Sequence, residues 1–329
     1  MLLVNLAVFI VGCLILVKSS SVLVKSLAKI ASFLNLNEFT IGFIIVAVAT
    51  SLPETFIGIM SALDGTPELS AGNVIGANVL DLTLIIGIAV LLAKRIDIES
   101  KIVKKDMIFM LLLAFLPVVL MIDHYFWSWI GLFPGMVPGI SRMDGVVLLA
   151  VFVYYIYRMV RQETRFSKTV DHTTKKELAK DMLLFLISIV FMLGSSQFVV
   201  GAAENLSIEL NLSPLLIGLF LVSFGTTMPE MVFTSKAALA GHTSMAVGDL
   251  VGSIITNSTL VLGMTAIITP IQLNSLLYVT STLFMLFSAF IFFTFAESDN
   301  GITLNEGLSL IMLYVLFVII EMYIKYNLL

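Results

Sequence analysis

Apolar side chains occur along this chain in long runs, separated by short stretches rich in charged residues, prolines and glycines. Ten runs approach the length of a membrane-crossing helix, for which about 20 apolar residues are needed. They lie near 3–32, 39–62, 69–92, 107–122, 145–160, 181–206, 214–238, 245–268, 273–295 and 303–325. The pattern therefore predicts an all-α polytopic membrane protein with ten transmembrane helices.

The same pattern occurs twice. When Ile41 is matched with Ile217, the signature regions 41–87 and 217–263 align without a gap, with 14 identities in 47 positions. Five spans separate the two copies, and because five is odd the second copy enters the membrane from the opposite side. We therefore predict two inverted five-helix repeats, 1–160 and 181–329, joined by a linker at 161–180. Such inverted repeats are common among secondary transporters.

Composition and charge agree with this prediction, and the charges also indicate how the protein is oriented in the membrane. Hydrophobic residues make up 59% of the 329 residues and charged residues only 12%, whereas soluble proteins have about 25% charged residues. The net charge of -4 argues against nucleic-acid binding. Twelve of the 18 basic residues lie between spans three and four or around the linker. Because basic loops face the cytoplasm, we expect a multi-pass protein of the cell membrane with both termini extracytoplasmic.

Three carboxylates lie inside the predicted spans without a basic residue at the same depth: Glu54, Glu230 and Asp81. Each must be protonated, paired or bound to a cation, because a bare charge in the bilayer is costly. Pro53 and Pro229 break their helices and release backbone carbonyls beside the two glutamates. Carboxylates, carbonyls and hydroxyls are the hard oxygen ligands of calcium, with magnesium less suitable and zinc or copper disfavoured.

Simpler explanations exist for the individual residues. Gly72 and Gly76, repeated as Gly248 and Gly252, are explained by close helix packing, although they could also bring further polar residues toward the broken helices. Protonated structural carboxyls would explain Glu54 and Glu230, and an interhelical hydrogen bond would explain Asp81. Asp249 could start a partly wet helix. The remaining hydroxyls could bond preceding carbonyls. These are Thr50, Ser51, Thr226 and Thr227.

Two duplicated motifs carry a family resemblance. Thr-Ser-Leu-Pro-Glu at 50–54 and Gly-Thr-Thr-Met-Pro-Glu at 225–230 resemble the alpha-repeat signatures of the sodium/calcium exchanger family, within the calcium/cation antiporter superfamily. The segments GNVIGANVLD and GDLVGSIITN resemble its second signatures. The resemblance implies a prokaryotic-type ten-span exchanger in which long first and sixth helices slide across a fixed core.

The resemblance also implies roles for individual residues. Glu54 and Glu230 would be the central calcium ligands, assisted by the carbonyls of Thr50 and Thr226. Adjoining sodium sites would use side chains from both copies: Ser51, Thr227, Ser253, Asp81 and Asn257. Asn73 and Asp249 complete the set of candidate cation-site residues.

Some positions depart from the family pattern. Ala77 stands where a serine is usual, which removes one sodium-ligand hydroxyl, and the usual order of Asn and Asp is reversed at Asp81 and Asn257. The Gly-Asn-x-x-Glu pattern of the proton-coupled branch is missing, which favours sodium. The expected function is calcium/sodium antiport by alternating access, in a monomer that is not an enzyme and needs no cofactor. Alternatives are calcium/proton exchange at the same site, a cation channel and an intramembrane metalloenzyme.

Overall fold

The computed structural model describes residues 1–33, 48, 50–98, 101–129, 139–163, 175–272, 276–298 and 300–328. The first part of the predicted second span (39–62) and most of the predicted linker (161–180) lie outside the described residues. The same holds for Ala49, which lies four residues before Pro53, so its backbone carbonyl is the one with which the proline ring would clash.

Helices account for nearly all of the described chain. In chain order they are α1 Leu2–Phe33, α2 Leu52–Leu63, α3 Pro67–Leu80, α4 Ile86–Ala93, α5 Lys101–Trp129, α6 Arg142–Glu163, α7 Lys175–Leu210, α8 Pro214–Leu216, α9 Ser223–Thr226, α10 Met228–Leu239, α11 Thr243–Thr256, α12 Leu262–Ile268, α13 Leu276–Ser298 and α14 Leu304–Leu328. Three π-helical segments join α3 to α4, α8 to α9 and α11 to α12. They are π1 Asp81–Ile85, π2 Ile217–Val222 and π3 Asn257–Val261.

Long apolar helices confirm a multi-pass membrane protein. Within the described residues, six helical stretches are long and apolar enough to span a bilayer: Leu2–Ser19, Pro67–Ala93, Leu178–Leu210, Thr243–Ile268, Leu276–Ser298 and Leu304–Asn327. A seventh is the pair Pro214–Thr226 and Met228–Leu239, which meet at a bend of 46°. Helices α5 and α6 contain two further predicted spans, 107–122 and 145–160.

The sequence repeat is matched by the positions of the helices. In the alignment that matches Ile41 with Ile217, α2 and α10 begin and end at corresponding residues, and so do α3 and α11. The π-helical segments π1 and π3 follow the same alignment, with Asp81 and Asn257 as their first residues. A π-helical turn widens the helix locally and is frequent at functional sites. Equivalent backbone distortions therefore occur at equivalent positions of the two copies.

Small residues allow α3 to lie directly against α8 and π2. A Cβ added at Gly72 would overlap the Leu215 carbonyl oxygen, and one added at Gly76 would overlap that of Leu219. The approach is mutual, because a Cβ at Gly218 would meet the Leu69 carbonyl oxygen. The packing explanation for these first-copy glycines is thus confirmed, and the same contact brings the middle of α3 to the break that precedes α10.

Two short antiparallel pairs of strands connect the copies. β1 (Arg95–Asp97), which follows α4, pairs with β4 (Gly301–Thr303), which precedes α14. β2 (Gly139–Ile140), which precedes α6, pairs with β3 (Ile271–Gln272), which follows α12. In both cases a strand of one copy is hydrogen-bonded to a strand of the other. The fold therefore joins the two halves at these strands as well as through α3 and π2.

Candidate functional site

Two helix breaks form the frame of the candidate site. Pro53 and Pro229 lie in the first turns of α2 and α10, each followed at once by a glutamate. The residues before the breaks have nearly the same backbone conformation, with φ -81° and ψ 8° at Ser51 and φ -81° and ψ 5° at Thr227. Because proline has no N–H to donate, each helix restarts here, and Glu54 and Glu230 enter the first turn of the new segment.

Glu54 and Glu230 are buried, and the part of the chain that the structure describes leaves their oxygens unpaired. Their exposed fractions are 0% and 1%. Neither carboxylate has a hydrogen bond of ordinary geometry or an ion pair within the described part of the chain, although the Thr226 hydroxyl lies near Glu54. The same lack holds for Asp81, which is also fully buried. Buried polar groups are normally hydrogen-bonded, so three unsatisfied carboxylates in one region are exceptional.

Four carboxylates share this region. Glu230 lies close enough to Glu54, Asp81 and Asp249 to be repelled by their charges, and Asp81 is likewise repelled by Asp249 and Glu54. Among the described residues, however, no three His, Cys, Asp or Glu side chains come close enough to hold a metal ion by themselves. A cation bound here would need other oxygen ligands from the surrounding hydroxyls, amides and carbonyls.

Each copy donates one threonine hydrogen bond to the other copy at the centre of the site. The Thr50 hydroxyl donates to Asp249 Oδ1 at 3.3 Å, and the Thr226 hydroxyl donates to Asn73 Oδ1 at 3.1 Å. In the alignment of the two copies, Thr226 is the counterpart of Thr50, and Asp249 is that of Asn73. The threonine at each break therefore holds the neighbouring helix of the opposite copy.

Because of Ala77, the remaining hydrogen bonds of the site differ between the two copies. Ser253 Oγ lies 3.2 Å from Thr50 Oγ1 and accepts from Ser51 Oγ at 3.3 Å. The counterpart of Ser253 is Ala77, which has no hydroxyl, and the counterpart of Ser51 is Thr227. Thr227 donates to the Ser223 carbonyl of its own helix instead, at 2.8 Å. As the sequence predicts, Ala77 supplies no hydroxyl, and Thr227 therefore has no interhelical partner from α3.

Asp81 and Asn257, which occupy equivalent positions in the two copies, also differ in their hydrogen bonds. Asn257 donates from Nδ2 to Asn78 Oδ1 at 3.2 Å, and Asn78 Nδ2 donates to Ser258 at 3.0 Å. Asn257 Oδ1 and both oxygens of Asp81 have no hydrogen bond to any residue that the structure describes. The carboxylate of Asp81 is therefore unsatisfied among the described residues, while the amide of Asn257 in π3 is held by Asn78 of α3.

Two residues that contribute to this arrangement were missed by the sequence reasoning. Asn78 orients Asn257, and Thr234 donates to Asp249 Oδ2 at 3.1 Å. The repeat comparison gave no signal for either residue, because their counterparts are Ile254 and Gly58. Helical spacing could have found Thr234, which lies four residues after Glu230 and so on the same face of α10.

The candidate residues therefore fall into three groups. One hydrogen-bonded group joins Thr50, Ser51, Asp249 and Ser253. Thr226 and Asn73 form a second, while Glu54, Asp81 and Glu230 interact through their charges. Thr227 is turned toward its own helix, and Asn257 toward Asn78.

Comparison with known proteins gives consistent matches over nearly the whole chain. The family model for sodium/calcium exchanger protein matches residues 4–161 and 180–323. The sodium/calcium exchanger MaX1 of Methanosarcina acetivorans is 27% identical over 351 residues, covering 98% of this chain and 100% of that one. The inner membrane protein YrbG of Escherichia coli is 27% identical over 298 residues, covering 87% and 86%.

Solved structures show the same fold. The sodium-calcium exchanger NCX_Mj soaked with 10 mM Na⁺ and 10 mM Sr²⁺ has 24% sequence identity and a TM-score of 0.67, over 97% of this chain and 98% of that one. The same exchanger soaked with 10 mM Na⁺ and no Ca²⁺ gives a TM-score of 0.65. These likenesses show the fold, and the family match shows that the chain belongs to the sodium/calcium exchanger protein family, whose members are membrane cation antiporters and not enzymes.

Proposed function

We propose that this chain exchanges calcium for sodium across the cell membrane by alternating access. The observation that carries the proposal is the pair of buried glutamates, Glu54 and Glu230, which have no partner among the described residues. Two anionic groups in such surroundings need protons or a bound cation. The names of two similar proteins, the sodium/calcium exchanger MaX1 and the sodium-calcium exchanger NCX_Mj, support calcium and sodium as those cations.

The architecture that suits this function has ten transmembrane helices in two inverted five-helix repeats. The repeats would be 1–160 and 181–329, with the linker 161–180 in the cytoplasm, both termini outside, and a monomer as the working unit. Support comes from the corresponding bounds of the helices in the two copies and from the threonine hydrogen bonds that the copies exchange. Inversion places two equivalent breaks near the middle of the membrane, where both sides can be reached in turn.

We assign calcium to the centre of this arrangement. Glu54 and Glu230 would bind it from opposite sides, and the carbonyls of Thr50 and Thr226 would add further oxygens toward the 6–8 that calcium prefers. Sodium would occupy adjoining positions lined by the remaining polar residues. These are Ser51, Thr227, Asn73, Asp81, Asp249, Ser253 and Asn257.

Charge explains why transport in one direction would be coupled to transport in the other. One calcium ion balances two carboxylates, and sodium ions can balance the same two charges when calcium leaves. The empty centre would leave Glu54 and Glu230 to repel each other in a dry environment, which makes reorientation without an ion unfavourable. Only loaded states would then cross between the two sides, as exchange requires.

The test is calcium uptake into proteoliposomes that contain the purified chain and an outward sodium gradient. Glu54→Gln and Glu230→Gln keep the shape of the side chain but remove its charge, and each is expected to abolish uptake. Glu204→Gln is the matched control, since Glu204 accepts a hydrogen bond from Thr66 at 2.8 Å and lies outside the four-carboxylate region. If either site variant exchanges calcium at the wild-type rate, the site assignment is wrong.

A second candidate is calcium/proton exchange through the same carboxylates. The observation that favours it is Ala77, which is fully buried and leaves Thr227 without the hydroxyl partner that Ser51 has in Ser253. A sodium site that lacks a ligand hydroxyl is weakened. A pH gradient imposed in sodium-free buffer separates the two: calcium uptake under those conditions indicates proton coupling, and its absence indicates sodium coupling.

A further inference from the structure

A large apolar groove lies between α1 and the broken helix formed by π2, α9 and α10. Its volume is about 950 Å³, which is at the upper end of the roughly 300–1,000 Å³ found for small-molecule pockets. Phe9, Leu14, Phe224, Met228 and Val232 are among the apolar side chains that line it. Several of them are well exposed, including Leu14 at 64% and Val232 at 48%. In a membrane protein such a surface faces lipid.

Two lysines make this groove different from an ordinary lipid-facing surface. Lys25 of α1 and Lys236 of α10 both line it, together with His242, and its lining contains no acidic residue among those described. Neither lysine forms an ion pair within the described residues. Lysine extends its aliphatic stem along apolar surface while its ammonium group stays near water. The groove therefore combines a long apolar trough with two lysines that have no acidic partner among the described residues.

The position of the lysines suits a molecule with a long apolar part. α1 touches the broken helix at Cys13, whose Sγ lies where a side chain on Gly225 would be. Lys25 follows Cys13 by about three helical turns, and Lys236 follows Gly225 by about the same length of helix. Both lysines are therefore roughly 16–18 Å from this contact along their helices. An acyl chain that extends along the trough from this contact would bring its phosphate to the level of both lysines.

We propose that this groove binds an anionic phospholipid, with one acyl chain between α1 and α10 and the phosphate at Lys25 and Lys236. Basic residues at the cytoplasmic membrane surface attract anionic lipids, and the apolar trough adds a site for the chain that a surface patch lacks. The groove also reaches Thr50, Gly225 and Pro229, which belong to the helix breaks of the candidate cation site. A lipid bound there would contact α1 and the break together.

The test measures lipid binding directly and does not depend on transport. A negative result would therefore contradict the lipid proposal alone and leave the proposed exchange to its own test. The chain has two tryptophans, Trp127 and Trp129, which are replaced by phenylalanine. Val232→Trp then places a single fluorescent reporter in the groove. The full chain is reconstituted in nanodiscs with phosphatidylglycerol or phosphatidylcholine brominated on the acyl chains, at equal mole fractions. Bromine quenches tryptophan only at close range.

The proposal predicts several-fold stronger quenching of Val232→Trp by the brominated phosphatidylglycerol than by the brominated phosphatidylcholine. A control reporter, Leu308→Trp, lies on the exposed surface of α14 and is expected to respond equally to both lipids. The double change Lys25→Gln and Lys236→Gln is expected to remove the preference. Lys18→Gln is the matched control, because Lys18 is exposed on the same helix but does not line the groove.

Three results would overturn the proposal. Equal quenching of Val232→Trp by the two lipids would mean that the groove does not select anionic headgroups. Loss of the preference in Lys18→Gln to the same extent as in the double variant would mean that general surface charge is responsible. No quenching by either lipid would mean that protein, and not lipid, covers the groove.

Discussion

Asp81 and Asn257 occupy equivalent positions, and only Asp81 carries a charge. Asp81→Asn removes a carboxylate that has no partner among the described residues, so we expect sodium-driven calcium uptake to fall at least tenfold. The double variant Asp81→Asn with Asn257→Asp returns the charge at the equivalent position of the other copy and is expected to recover a substantial part of the rate. Initial rates of calcium uptake in proteoliposomes measure both.

The double variant tests the symmetry more sharply than the single one. Unequal stability could mimic a loss of activity, so thermal unfolding in detergent should accompany each rate. A double variant that folds like the wild type but is as inactive as Asp81→Asn would contradict the equivalence of the two positions.

Ala77 offers a gain of function at a single residue. Ala77→Ser supplies the hydroxyl that Ser253 provides in the other copy, and Thr227 could then turn from the Ser223 carbonyl toward α3. We expect a steeper dependence of calcium uptake on internal sodium, measured as a higher Hill coefficient. Ser253→Ala, which removes the partner of Ser51 and Thr50, should have the opposite effect. Unchanged coefficients in both variants would exclude these hydroxyls as sodium ligands.

At the scale of secondary-structure elements, the contact between α3 and π2 determines whether the site can assemble. Gly72→Ala and Gly76→Ala each place a methyl group against a backbone carbonyl oxygen, which cannot move aside as a side chain can. We expect each to destabilise the fold by about 1–3 kcal/mol or more. The midpoint of thermal unfolding in detergent reports the change.

Two glycines of α7 provide the matched control for this prediction. A Cβ at Gly194 or Gly201 would meet no described atom within 4 Å. Gly194→Ala and Gly201→Ala should therefore unfold at or above the wild-type temperature, because alanine favours a helix more than glycine does. Equal loss of stability in the α3 and α7 variants would show that helix packing at Gly72 and Gly76 is not the cause.

The sequence was most informative where one residue determines the backbone. Pro53 and Pro229 predicted two helix breaks, and Met228–Leu239 does begin at a bend of 46° after the preceding helical segments. The π segments were not predicted, since an added residue in a helical turn depends on the packing of neighbouring helices and leaves no mark in hydropathy. Their positions at Asp81 and Asn257 explain why those side chains, and not their neighbours, are placed in the site.

Polar partners were predicted less completely than charged ones. Charges inside an apolar span are conspicuous, so Glu54, Glu230 and Asp81 could be identified directly. Asn78 was missed because a neutral amide in a membrane helix is unremarkable until its partner is known, and that partner, Asn257, lies in the other copy. Sequence comparison of the two copies finds only features that they share, whereas Asn78 and Thr234 belong to one copy each.

At the scale of the whole molecule, the proposed mechanism requires α1 to move against the breaks. Cys13, the single cysteine of the chain, faces Gly225. A Cβ at Gly225 would lie 3.5 Å from that of Cys13, within the range of about 3.5–4.5 Å for a disulfide. Oxidation of the variant Gly225→Cys should therefore link α1 to α9 and stop calcium uptake, and a reducing agent should restore it.

A link between α1 and α7 serves as the control. Gly12 packs against Val199 of α7, and these two helices would slide together. In a Cys13→Ser background, Gly12→Cys with Val199→Cys is therefore expected to permit exchange after oxidation. If the α1–α9 link leaves exchange unaffected, sliding of α1 across the core is wrong.

The exchanged hydrogen bonds of Thr50 and Thr226 have a consequence for how such a protein can diversify. A contact made twice with its partners interchanged is the kind found at the interface of a two-fold symmetric dimer. Two separate, identical five-helix chains could make it, but every substitution would then appear on both sides. Fusion into one chain removes that restriction. A fused chain, unlike an identical pair, can have alanine at 77 opposite serine at 253, or an acid at 81 opposite an amide at 257, and so adjust two ion positions independently.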